Sequence, residues 1–431
     1  MLGSKKYNKS RLKILMVAAA VHPDKGSEPG LGWGWVTALA DYHDLWVITG
    51  EREGNREAIE RELTRCPILQ SRLHFFFVSR PDGPWLEKVW PPYYYKLYRL
   101  WHLEAIRIAR NLVSEVTFDI THQLNMTGFR EPGYLWTLDL PFVWGPVGGA
   151  VNLPLRFARI LGAKEFFYHL AKVTLNNLQL KYHSRVRSTL RRTNAFITSN
   201  SDTRDAFLRV HGKRSVVIQD TGPIPNEFVS RIITSKKQTS ILRISWSGLH
   251  ISRKALPIVL YALARIKCKV PFHLDVLGDG PMSLRWKKLA SRLELQNFLT
   301  WHGWLDKQNA LSIIAQSDLF AFPSLHEGTP TVVMEALSLG VPVICLDHCG
   351  QADVVNSECG IKIPIANLES VIHSFAESIL YLSKNERIIQ RLSEGALKRI
   401  VEFSWDSKAK KMDQLYRTAI IHKQTHSVPT V

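Results

Sequence analysis

Two pairs of side chains in this chain have the chemistry to meet around a phosphorylated ligand. One pair is acidic, Glu327 and Glu335, in the run HEGTPTVVMEALSLGVPVI. The other is basic, Arg253 and Lys254, in SGLHISRKAL. Ionised carboxylates only accept hydrogen bonds, which suits them to sugar and ribose hydroxyls. Adjacent cations suit a diphosphate whose departure must be neutralised. Thr329 is expected to cap a helix, with Pro330 in its first turn and Gly340 and Pro342 ending it. The leading N–H groups of that helix, at the positive end of its dipole, make a cradle for a phosphate of a nucleoside diphosphate. Glu327 and Gly328 lie just outside the cradle, and Glu335 leans toward it from within the helix. Taken singly, each acid has a plainer reading, as a solvated loop acid or a surface or buried-pair acid. Arg253 and Lys254 would be an exposed helix start, although cations are unfavourable at a helix N-terminus.

The elements that must position these groups follow an α/β pattern, with apolar runs alternating with helix-length segments throughout. Strands are predicted at 12–20, 45–49, 74–78, 118–121, 142–144, 195–199 and 216–219, and again at 242–247, 273–277, 298–301, 319–323 and 341–346. Between the two sets, GPIPNEF followed by SKKQTS reads as a linker. At 431 residues the chain exceeds one ordinary core. The expectation is two Rossmann-like doubly wound domains facing across a cleft. These would be 1–228 and 229–404, with a C-terminal helix in 405–431 packing back on the first. Ligands of such sheets lie beyond the carboxyl ends of the strands, where both motif loops fall. Gly248 belongs to the first of these loops, and Gly278 opens the turn after the next strand. In GSEPGLGWGWVTALA, after the first strand, Gly30, Gly32 and Gly34 permit close backbone approach to a ligand, without the GxGxxG spacing.

Lys and Arg number 56 against 38 Asp and Glu, a formal charge of +18 that attracts nucleotides, nucleic acid or an anionic membrane surface. Arg185, Arg187, Arg191, Arg192, Arg204 and Arg209 crowd one stretch, expected to form a positive face. In PWLEKVWPPYYYKLYRLWHLEAIRIARNL, Trp85, Trp90, Tyr93, Tyr94, Tyr95, Tyr98 and Trp101 interleave with Lys88, Lys96 and Arg99. This suits either a membrane interface or a helix packed into its own domain. No apolar run is long enough to span a bilayer, and LKILMVAAA reads as a buried first strand rather than a signal peptide. Five cysteines point to reduced thiols in the cytoplasm. Cys345, Cys349 and Cys359 flank His348 without zinc-type spacing, so they read as buried thiols. No Asp-x-Asp metal motif is present, and neither a metal nor a cofactor is expected.

From Trp246 to Val355 the chain resembles the donor-binding domain of glycosyltransferase family 4, which has the GT-B fold. The matching blocks, in order, are SGLHISRKAL, LDVLGDGP, FLTWHGWL and SDLFAFPSLHEGTPTVVMEALSLGVPVI. The first half resembles the family less specifically, in its Gly-rich loop, DITHQLN and PFVWGPVGG. The resemblance implies Glu327 near the transferred sugar, Glu335 near the ribose and Lys254 on the diphosphate. Gly248, Gly278, Gly328, Thr329 and Pro330 would line the donor. Leu249 stands where the family has arginine, with Arg253 as its substitute, and Gly328–Thr329 replaces Gly-Phe-Gly. The family's first-domain histidine is replaced near Trp144 and Gly145, leaving His122 as a stand-in. Transfer with retention of configuration and no obligatory metal is implied.

The expected protein is therefore an enzyme moving a sugar from a UDP- or GDP-type donor to a glycan or lipid-linked acceptor. It would be cytoplasmic and peripheral on the inner face of the plasma membrane. Rival readings are a noncatalytic sugar-nucleotide binder, an epimerase or phosphorylase on the same fold, and a nucleic-acid-binding protein. No nucleic-acid recognition module appears, so no nucleic acid partner is expected.

Overall fold

The computed structural model describes residues 10–52, 54–79, 91–157, 163–225, 229–230 and 241–426. Two wholly parallel sheets organise them. The first has seven strands in the order β3-β2-β1-β4-β5-β6-β7. They are β1 (Lys13–Ala18), β2 (Asp44–Glu51), β3 (Leu73–Ser79), β4 (Ile120–Asn125), β5 (Phe142–Val147), β6 (Ala195–Thr198) and β7 (Val216–Val217). The second has six in the order β10-β9-β8-β11-β12-β13. They are β8 (Leu242–Ser247), β9 (Phe272–Leu277), β10 (Leu299–Gly303), β11 (Leu319–Phe322), β12 (Val343–Leu346) and β13 (Gly360–Ile363).

In each sheet the chain runs outward for three strands and then returns to the other side of the first. Strand order therefore reverses between β1 and β4, and between β8 and β11, which is where doubly wound sheets bind ligands. Both faces of each sheet are covered, so the strands are continuous apolar runs rather than alternating ones. In β1, Ile14 and Met16 join the cluster holding Met412 and Tyr416, while Leu15 and Val17 join that of Tyr98 and Trp101 on the opposite face.

The helix Trp405–His426 belongs to the first sheet's core. Trp405 meets Trp35 edge-on with ring centroids 5.6 Å apart, and Tyr416 is fully buried. The glycines of GSEPGLGWGW explain this closeness, because they lie inside the helix Ser27–Ala40 rather than in a ligand loop. A Cβ on Gly34 would stand 2.4 Å from the Trp405 ring, one on Gly32 2.0 Å from the Ala20 carbonyl oxygen, and one on Gly30 2.1 Å from that of Lys25. These glycines admit neighbouring protein, which corrects their expected role as a ligand loop.

The aromatic insertion follows the second of its two readings, a helix packed into its own domain, and the basic stretch is only partly a face. In the aromatic insertion, Trp85, Lys88, Trp90 and the side chain of Tyr93 lie outside the described residues. Tyr98 and Trp101 are core residues of the helix Pro91–Glu115, the Trp101 indole donating to the Val78 carbonyl at 3.1 Å. In the basic stretch, Arg185 is drawn inside to pair with buried Glu131 at 2.5 Å, and Arg204 pairs with Asp205 at 2.8 Å. Arg187, Arg191, Arg192 and Arg209 remain exposed. Among the described residues no helix is long and apolar enough to cross a membrane.

Candidate functional site

The loops that follow β8 and β11 flank the second sheet's reversal point, and hydrogen bonds lace them together. The Leu325 N–H donates to the Arg253 carbonyl at 2.8 Å, and the Ser324 hydroxyl donates to the same oxygen at 3.3 Å. After β8 the chain makes a single 3-10 turn, Ser252–Lys254, which Ala255 terminates in the left-handed region at φ 51°. That turn aims both cations at the neighbouring loop.

Glu327 is where they meet. One carboxylate oxygen lies 2.7 Å from Lys254 Nζ and 3.0 Å from Arg253 Nη1, and it accepts from Ser324 Oγ at 2.7 Å. Arg253 Nη1 also donates to the His326 carbonyl at 2.5 Å. Burial alone would raise the Glu327 carboxyl, but Lys254 and Arg253 outweigh it and hold it below the ordinary carboxylate range. Two cations against one carboxylate leave this corner with a net positive charge, the sign a diphosphate needs.

Glu335 sits on the helix Thr331–Ser338, 3.6 Å from Lys307, and burial pushes its carboxyl upward. The helix begins one residue later than expected. Pro330 is the N-cap residue and no side chain caps the end. Thr329 instead turns its hydroxyl toward the Ser199 carbonyl of the first sheet, at 3.5 Å. Gly328 accepts from Asn200 Nδ2 at 3.2 Å. The Val333 and Met334 N–H groups both donate to the Pro330 carbonyl, at 3.1 and 3.4 Å, which leaves those of Thr331 and Val332 ahead of the first helical bond.

Gly248 and Gly278 let the strand-end turns touch. Gly278 has φ +105°, and a Cβ there would stand 2.2 Å from the Gly248 carbonyl oxygen. Behind them His250 is wedged against Trp246, Trp286 and Trp301, its Nδ1 2.7 Å from Ser283 Oγ, and burial pushes its imidazole down to about 4.

His122 does not join the site. It is fully buried, with Nδ1 2.6 Å from the Tyr416 hydroxyl and Nε2 2.7 Å from the Gly145 carbonyl. Both ring nitrogens are thus spent on protein partners, Nδ1 on the terminal helix and Nε2 on β5, which corrects its expected role as a stand-in catalytic histidine.

The sequence reading missed the contribution of the first sheet. Beside Asn200, the Ser201 N–H and hydroxyl donate to Asp353 at 2.7 and 2.6 Å. Asp202 accepts from the Cys349 N–H at 2.7 Å and lies 3.0 Å from His348 Nδ1. The one local signal was SNSDT after a strand, a helix cap that Asn200 does form with the Thr203 N–H at 2.8 Å. Among the described residues, Asp202, His348 and Cys349 are also the one group whose ligand atoms all lie within 4.8 Å of one another. Burial raises the thiols of Cys345, Cys349 and Cys359, which disfavours thiolate.

Residues 244–399 match the family described as Glycosyl transferases group 1. The architecture is GT-B. The structure of Anabaena Alr3699/HepE in complex with UDP and glucose superposes with a TM-score of 0.58 at 14% identity, covering 95% of this chain and 100% of that one. A Salmonella typhimurium protein provisionally named the colanic acid biosynthesis glycosyltransferase WcaL is 24% identical over 34% of this chain and 40% of its own. The UDP-Gal:alpha-D-GlcNAc-diphosphoundecaprenol alpha-1,3-galactosyltransferase of Escherichia coli is 26% identical over 34% of this chain and 37% of its own. The chain thus aligns with well under half the length of these relatives.

Proposed function

We propose that the protein is a retaining glycosyltransferase that moves a sugar from a nucleoside diphosphate sugar to a lipid-linked or polysaccharide acceptor. The observation that carries this is the Glu327–Lys254–Arg253 cluster at the reversal point of the second sheet. An arriving diphosphate competes for both cations and frees the Glu327 carboxylate to accept sugar hydroxyls. Arg253 and Lys254 then neutralise the departing nucleotide, and the N-terminus of the helix Thr331–Ser338 adds its dipole. Glu335 accepts from the ribose, and Gly248, Gly278, Gly328, Thr329 and Pro330 shape the walls. The donor is of UDP or GDP type, one relative being named for UDP-Gal, and the diphosphoundecaprenol in that relative's name supports a lipid-linked acceptor.

The proposed division is 1–228 for the acceptor side and 229–404 for the donor side, with the helix in 405–431 returning to the first. It is supported by one sheet in each part and by the Trp405 and Tyr416 contacts. A cytoplasmic location, peripheral on the inner membrane face, fits the charge and the acceptor. The test is incubation with a panel of UDP- and GDP-sugars, following nucleotide release and thermal stabilisation. Release with an added lipid-diphosphate acceptor, lost in Glu327→Ala, supports the reading. Failure of every sugar nucleotide to bind overturns it.

A further inference from the structure

The helix Ala163–Tyr182 exposes a line of large apolar side chains. Phe167 is 66% exposed, Leu175 55%, Leu178 51% and Tyr182 60%. With Ala171 these positions recur at intervals of four, four, three and four, so they project from one face of the helix. Tyr168, 59% exposed, borders that face. The opposite face carries the buried His169 and Asn176.

Cations frame the stripe. Lys172 Nζ lies 6.0 Å from the centroid of the Tyr168 ring, and Lys181 Nζ lies 5.1 Å from that of Tyr182. By helical spacing the two lysines leave the helix on opposite flanks of the stripe. The one acid of this helix, Glu165, is engaged by Ser252 Oγ at 3.0 Å. Beyond the C-terminus, the helix Ser184–Arg192 adds exposed Arg187, Arg191 and Arg192 and no acid.

An exposed apolar stripe marks a docking surface, and flanking cations without free acids select a partner with an apolar interior and an anionic rim. We propose that this helix docks the protein on the surface of an anionic lipid bilayer. Phe167, Leu175 and Leu178 enter the boundary between headgroups and acyl chains. Tyr168 and Tyr182 sit at the polar level, and Lys181 with the exposed Arg187 beyond it reaches the lipid phosphates. The inference rests on the membrane-facing part of the proposed function and is independent of the transfer reaction. It also explains a placement. Because Glu165 meets Ser252 next to Arg253, a bilayer under this helix lies beside the donor site, and a lipid-linked acceptor reaches the cleft without leaving the surface.

The test is co-sedimentation of the full chain with unilamellar vesicles of phosphatidylcholine, with and without one phosphatidylglycerol in four, at low and high salt. Binding is expected only to the anionic vesicles and is expected to weaken with salt. Leu175→Ser with Leu178→Ser, and separately Lys181→Glu with Arg187→Glu, should each lower the partition constant roughly tenfold or more. Both variants should keep the parent's melting temperature and UDP-induced stabilisation, which distinguishes loss of docking from loss of fold or donor site. The proposal is overturned if the parent ignores anionic vesicles at low salt, or if the leucine variant binds them as well as the parent does. It is also overturned if sedimentation equilibrium shows a dimer that the leucine variant dissolves and that does not bind vesicles. Vesicle binding without UDP binding would remove the donor reading and leave the docking surface standing.

Discussion

Replacing Glu327 by glutamine separates the two jobs assigned to this side chain. The amide keeps the shape and an acceptor for Ser324 but removes the charge that Lys254 and Arg253 share at 2.7 and 3.0 Å. Breaking a buried ion pair from one side costs about 3–5 kcal/mol. Arg253 is 34% exposed and keeps part of its water, so the loss should fall to about 2 kcal/mol. In a domain of this size that lowers the melting temperature by roughly 4–8 °C. UDP brings its own negative charge to the two orphaned cations, and no carboxylate now competes for them. The dissociation constant for UDP should therefore hold or tighten, and UDP at about a hundredfold excess over it should return about 2.7 kcal/mol. Sugar transfer should fall at least roughly a hundredfold, because the lost contact is to the reacting sugar. Differential scanning fluorimetry across a UDP titration, with nucleotide release measured in parallel, reads all three quantities. The reasoning is refuted if Glu327→Gln melts with the parent, or if it loses UDP affinity along with activity.

Gly34→Ala forces a methyl into the Trp405 ring, and overpacking of about 1–3 kcal/mol should exceed the roughly 1 kcal/mol gained in helix propensity. A lower urea midpoint would show it. Tyr416→Phe strips buried His122 of its partner at 2.6 Å and should cost about 1–3 kcal/mol in the same assay, leaving UDP affinity unchanged. Burial pushes His43, His122, His250 and His326 down to about 4 and His102 to about 3. Each folded value lies below the ordinary value of about 6.5, so their stability is whole above that pH and drains away as pH falls toward 4. Melting temperature should drop across that window, and His102→Phe, which removes a ring whose Nε2 has no partner, should flatten the drop. Asn200→Asp keeps the helix cap to the Thr203 N–H but loses the donor to the Gly328 carbonyl. UDP affinity should fall, and the melting temperature of the free protein should fall with it, because the new carboxylate is buried against a carbonyl oxygen.

Much of the fold was legible because parallel strands buried on both faces write themselves as apolar runs. Residues 242–247 were placed to the residue, and most other strands within a few. β13 was missed because it is only four residues long and Lys362 interrupts its apolar pattern. The donor-side cluster was legible because Arg253, Lys254 and Glu327 stand next to strand ends, where topology alone brings loops together. Tertiary partners decided what was misread. Thr329 had the right chemistry to cap its helix, and the Ser199 carbonyl drew it away. The glycines at 30, 32 and 34 correctly signalled close backbone approach. What approaches is the chain's own Lys25, Ala20 and a tryptophan far along the sequence, which local spacing does not reveal. His122 was expected at a strand end, but it lies within β4 and the terminal helix claims its Nδ1.

The segment between Glu327 and the donor-side helix touches both sheets at once. Its start is tied to the second by Ser324, whose carbonyl accepts from Gln351 Nε2 at 2.9 Å. Its middle is tied to the first through the Gly328 carbonyl and the Thr329 hydroxyl. Further polar contacts across the seam are Ser201 with Asp353, Asp202 with the Cys349 N–H, and Arg156 with the Ile365 carbonyl at 3.2 Å, and beside them buried Leu153 and Phe157 pack into the second sheet's core. Polar contacts of this kind exchange readily for water, whereas Leu153 and Phe157 resist a full parting of the halves because it would expose them. Parting them removes the partners of Gly328 and Thr329 but not those that hold Glu327 to Lys254 and Arg253. Charge at the donor site is therefore fixed within the second sheet, while the loop that would close over the phosphates is set by how near the first sheet stands. On the proposed reading, donor binding and approach of the acceptor side would be coupled through Gly328 and Thr329.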